Sequence, residues 1–163
     1  MTTSKNTTKT AAATPTAADM DIERFLKSKF TPRSEFIPLP MLSQYFPEGC
    51  DRIGVEVVGL DGIEYSRIQA GGRKELQRLA FDLLSAQGGD LAEAVKKYLG
   101  VGESPEYIEK MICLLEAGIV YPVLKPDQKL RFAAKLCRAF PTQFTQIANR
   151  IMELTGAGQQ PEG

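Results

Sequence analysis

Pro141-Thr-Gln-Phe-Thr-Gln-Ile-Ala-Asn-Arg-Ile-Met-Glu-Leu-Thr-Gly156 decides the fold class of this chain. A proline at position 141 suits the first turn of a helix. Its φ is fixed near the helical value, and the amide hydrogen it lacks is not needed there. Phe144, Ile147, Ala148, Ile151 and Leu154 then recur at helical spacing and form one apolar face. Gly156 and Gly158 are stop signals, and a polar stretch, Gln159-Gln-Pro-Glu-Gly163, follows. A stripe of this kind must be buried against other elements, so the rest of the chain has to supply partners for it.

Working outward from that helix, the chain supplies more helices first. Asp127 is placed to cap a helix whose face is Leu130, Ala133, Ala134 and Cys137. Ser104-Pro105 reads as a cap followed by proline at the first helical position. From there Ile108, Met111, Ile112, Leu115 and Ile119 make a strong apolar stripe. Tyr121-Pro122 and Lys125-Pro126 read as a linker. Earlier, Arg73 to Ala86 carries Leu76, Leu79, Ala80, Leu83 and Leu84 on one face and ends at Gly88-Gly89. Asp90 caps a short helix over 91–99, closed by Gly100. Asp61-Gly-Ile-Glu64 has capping-box spacing and opens a helix over about 62–70.

Only the N-terminal third breaks the helical pattern. In Arg52-Ile-Gly-Val-Glu-Val-Val-Gly-Leu60, Ile53, Val55 and Val57 alternate with Gly54 and Glu56, the period of a strand. Pro32, Pro38, Pro40 and Pro47 forbid a long helix before it. Glu35-Phe-Ile-Pro-Leu39 is compatible with an edge strand, where proline is tolerated. Pairing about 35–39 with 53–58 gives a β-hairpin that needs helices to lean on. A short helix beginning near Asp19 puts Ile22, Phe25 and Leu26 on one face, with Asp19 or Asp21 as its cap. The expected fold class is mainly α. It comprises one small helical domain over 21–155 with a hairpin at about 35–58, a disordered tail over 1–20 and a flexible tail over 156–163.

Composition narrows the function. The chain has 163 residues and 43% hydrophobic content, enough for one domain with a core. Lys+Arg and Asp+Glu are both 20, so the net charge is zero. That balance speaks against a nucleic-acid binder, whose affinity rests on excess cations. There is no histidine, which removes Ser-His-Asp and Cys-His nucleophilic systems, the imidazole base and His-containing zinc sites. Cys50, Cys113 and Cys137 lie far apart, as free thiols of a reducing compartment would. No apolar run is long enough to span a bilayer, and the Thr/Ala-rich start has no signal-peptide core. No cofactor or metal is expected.

The remaining motifs have plain structural readings. Gly71-Gly72-Arg73-Lys74 lacks P-loop spacing and reads as a helix–helix turn. Glu103 and Glu106, like Asp90 and Glu93, sit where first-turn acids favour a helix dipole. Arg131, Lys135 and Arg138 form a basic strip at i, i+4, i+7. It is read as a solvated face, with contact to an acidic partner as the alternative. Cys113 and Cys137 are expected in the core, and Cys50 in a reactive loop position. Phe36, Tyr45, Tyr121, Phe140 and Phe144 lie near turns and proline steps. Of these, Phe36, Tyr121, Phe140 and Phe144 are the candidate anchors of a protein-binding surface. Ile147 and Ile151 are expected mainly in the core, with Phe140 and Phe144 more accessible.

Four segments, "FIPLP", "IGVEVVGLDGIEY", "SPEYIEKMICLLEAGIVYPVLK" and "RAFPTQFTQIANRIMELTG", resemble in order and spacing the bacteriophage tail assembly chaperones, over residues 25 to 158. The resemblance implies a non-enzymatic protein of the infected host cytoplasm, absent from the mature virion. It implies binding to the tape measure protein and to tail tube subunits, and a frameshifted longer form of itself as a further partner. It implies neither nucleic acid nor membrane as a partner. Two other classes remain open on sequence alone: a small carboxylate- or metal-dependent enzyme, and a helical DNA-binding regulator.

Overall fold

The computed structural model describes residues 20–71 and 105–162. The expected helices over 73–86 and 91–99, the Ser104 cap and the tail before residue 20 lie outside the described residues. Numbered in chain order, the described helices are α1 (Ile22–Lys27), α2 (Gly62–Gln69), α3 (Pro105–Gly118), α4 (Pro126–Ala139) and α5 (Pro141–Gly156). The strands are β1 (Phe30–Thr31), β2 (Ser34–Pro38), β3 (Gly54–Val58), β4 (Ile119–Tyr121) and β5 (Gln160–Pro161), and a 3₁₀ helix covers Pro40–Tyr45. The fold is mainly helical, with small open sheets.

The core sits where α3, α4 and α5 pack together against one face of a three-stranded sheet. α3 is its centre. Met111, Ile112, Cys113, Leu114 and Leu115 are all buried, so this stretch of helix is apolar all round, as a fully enclosed helix must be. α5 follows the sequence reading closely, with Pro141 in its first turn and Phe144, Ile147, Ala148, Ile151 and Leu154 all buried. α4 buries Leu130, Ala133, Ala134 and Leu136. Its cap is a correction. Lys125 is the N-cap, and its N–H is accepted by the Gln128 side chain at 3.1 Å, while Asp127 lies within the first turn. Pro126 occupies the first helical position, which moves the cap from 127 to 125, two residues earlier than the aspartate suggested.

The sheet runs β2–β3–β4, all antiparallel. Ser34 pairs with Val58 and Pro38 with Gly54, close to the expected hairpin register. Pro38 lies on an edge strand, where its missing N–H is harmless. β4 is the addition. Ile119 was read as the end of a helical stripe and Tyr121-Pro122 as linker, yet Ile119–Tyr121 forms the third strand. Val57 pairs with Ile119 and Glu56 with Tyr121, so β4 advances two residues where β3 advances one. Val120 is the extra residue of this bulge and is turned outward.

α5 is fastened to the sheet at its end as well as along its face. A Cβ on Gly59 would lie 2.7 Å from the backbone carbon and oxygen of Leu154, so only glycine permits this approach. Beside it, the Leu60 N–H donates to Thr155 Oγ1 at 2.8 Å, and that hydroxyl donates to the Ile151 carbonyl at 2.7 Å. Arg150 bridges from α5 to Glu35 of β2, its Nε donating at 2.9 Å, and reaches Glu153 at 2.5 Å. Residues 156–162, read from sequence as a tail, turn at Gly158 and place β5 antiparallel to β1. Arg33 Nε donates to the Gly158 carbonyl at 3.1 Å.

Candidate protein-binding groove

The sheet has two unlike faces because side chains alternate along each strand. Ile37, Val55, Val57 and Ile119 point at the helices and are buried. Phe36, Glu56 and Tyr121 stand in register across the three strands. Arg52 lies over this row. Its guanidinium is 4.9 Å from the Phe36 ring centre and 4.7 Å from that of Tyr121, and its Nη2 meets Glu56 at 2.8 Å. A cation over ring faces is attracted by their quadrupoles, and here Glu56 also neutralises it. The Tyr121 ring is 6.3 Å from Phe36 and 6.5 Å from Phe46. Its hydroxyl donates to the Arg52 carbonyl at 3.1 Å and lies 4.0 Å from Cys50 Sγ. Burial and the neighbouring thiol raise the Tyr121 pKa above the ordinary range, against the pull of Arg52.

Tyr121 is also one wall of an apolar groove of about 900 Å³. Three segments distant in sequence build it. The 3₁₀ turn and its exit bring Leu42, Tyr45, Phe46, Pro47 and Cys50; the chain leaving β4 brings Pro122 and Leu124. α4 brings Phe132, Lys135, Leu136 and Ala139, and its C-cap brings Phe140. Tyr45 and Val123 stand out at this end of the molecule at 73% and 91% exposure. Contiguous exposed apolar surface around a concave apolar wall marks an interaction site more than a single exposed residue does. A smaller cavity of about 530 Å³ lies between β2 and α5, but Glu35, Arg150 and Glu153 on its wall are already bonded to one another.

Of the four expected anchors, Tyr121 and Phe140 line the groove and Phe36 packs against Tyr121 from outside it. Phe144 is a correction: it is fully buried in the core. It lies three residues after Pro141, on the same stripe as Ile147 and Ile151, so the helical period carries it inward. Leu42, Phe46, Leu124, Phe132 and Leu136 are groove residues that sequence reasoning did not single out. Cys50 lies in the groove wall, half-buried; Cys113 is in the core as expected, while Cys137 is half-buried and packs against the core. Among the described residues, no group of three or more Cys, Asp or Glu side chains is arranged to hold a metal ion. No helix there is long and apolar enough to cross a membrane. Comparison with models of protein families, with curated proteins and with solved structures gives no match.

Proposed function

We propose that this protein is a bacteriophage tail assembly chaperone. It binds the tape measure protein and helps recruit tail tube subunits during tail morphogenesis, in the host cell cytoplasm and outside the finished virion. A single small helical domain over about 21–155 carries the binding surface, and a frameshifted longer form of the chain shares it.

The observation that supports this reading is the groove. A long helical protein awaiting assembly exposes apolar stripes, and an apolar concave wall with aromatic rims covers such a stripe by helix-in-groove packing. Aromatic side chains such as Tyr45, Phe46, Tyr121 and Phe140 give large contact area for few frozen torsions, the usual make-up of interface hot spots. The resemblance in segment order and spacing supplies the identity of the partner.

The test is co-expression with the tape measure protein of the same genome. Co-purification of the two, with more tape measure protein in the soluble fraction, is the expected result. If this protein neither co-purifies with that partner nor raises its solubility, the assignment is wrong.

A further inference from the structure

The groove is apolar along its walls and carries its positive charge on the α4 side, while the acids Glu48 and Asp51 adjoin its lining at Pro47 and Cys50; a charge placed on one side specifies an occupant more narrowly than apolarity alone. Among the described residues lining it, Lys135 is the only formally charged side chain, and none is Asp or Glu. Arg131 lies one helical turn earlier on α4, and both side chains are exposed. Residues four apart on a helix share a face, and like charges there repel slightly. Neither is ion-paired with a carboxylate among the described residues. Arg131 is also two turns from the end of α4 at Ala139, beyond the last turn where a cation serves the helix dipole. Arg52, by contrast, is committed to Glu56 and the two rings.

Resting on the reading of the groove as a partner site, we infer that its occupant is an amphipathic helix with carboxylates beside its apolar stripe. Apolar side chains at i, i+3 or i+4 and i+7 lie between the Phe46 and Phe140 walls. Glu or Asp residues flanking that stripe meet Lys135 and Arg131. The charges select the orientation and the kind of helix, while the apolar contact holds it. A helix with lysines in the flanking positions meets two like charges and binds more weakly.

Two synthetic helical peptides test this. They share one apolar stripe and differ only in flanking residues, Glu in one and Lys in the other. Each is titrated against the full chain by fluorescence anisotropy. The Glu peptide is expected to bind roughly five- to tenfold more tightly, the combined effect of two exposed charge pairs. The difference should shrink at ~1 M salt, where the Debye length is about 3 Å. Lys135→Glu with Arg131→Glu should reverse the preference. Lys135→Gln with Arg131→Gln should abolish it while both peptides still bind. Equal affinity for the two peptides, or binding of neither, overturns the inference. Either result alongside an intact complex with the tape measure protein leaves the proposed function standing. A clear Glu preference without that complex overturns the proposed function and supports the inference.

Discussion

Cys137 faces inward from α4, and burial pushes its thiol up to about 11 from an ordinary 9.0. Between those values the unfolded chain loses the thiol proton and the folded chain keeps it. Stability from this group is therefore complete below about pH 9 and is lost as pH rises toward 11, by up to about 2–3 kcal/mol. The fall in melting temperature between pH 9 and 11 should be smaller for Cys137→Ala than for the wild type. An identical fall would show that Cys137 carries none of it. Phe144 offers a second residue-scale test. Its removal from a closed core, as Phe144→Ala, should cost about 3–5 kcal/mol in denaturant unfolding. Phe140→Ala, at a half-buried position, should cost clearly less and weaken partner binding instead.

At the scale of elements, α5 and the end of β3 lock together through Gly59 and Thr155. Gly59→Ala would drive a Cβ into the Leu154 backbone, which cannot rotate away as a side chain can. The expected loss is about 1–3 kcal/mol. Gly118→Ala meets the Ile151 side chain at 2.6 Å, and shortening that side chain with Ile151→Val should recover part of the loss. Urea unfolding of the single and double variants checks this; no recovery would mean the contact does not limit packing there. Thr155→Val leaves the Leu60 N–H without its partner and should cost about 1–2 kcal/mol by the same assay. The stripes of α3, α4 and α5 were legible in sequence because each buries a face at a fixed period. β3 was legible by its alternation. β4 was not, since Ile119 fits the helical stripe before it and a three-residue strand is too short to show a period. Only its β-branched and aromatic content, between Gly118 and Pro122, marks it as extended.

For the whole molecule, the groove is a property of tertiary assembly. Tyr121 and Phe140 could be singled out because they adjoin proline steps. Phe46 carries the same signal, beside Pro47, and was legible on the same ground. Leu42, Leu124 and Phe132 could not be singled out, because nothing local distinguishes an apolar groove residue from an apolar core residue. Its walls meet only once β4 has joined the sheet and α4 has packed on α3. On the proposed function, this groove covers the tape measure protein. Tyr45 is exposed and Leu124 half-buried, so Tyr45→Asp with Leu124→Asp can spoil the groove without opening the core. Ile63→Asp, at an exposed position of α2 outside the groove lining, is the matched control. The most direct measurement is the soluble fraction of tape measure protein co-expressed with each form. Wild type and the Ile63 variant should keep it soluble, and the groove variant should lose it while its own melting temperature stays close to that of wild type. A folded groove variant that keeps the tape measure protein as soluble as wild type does would contradict the claim.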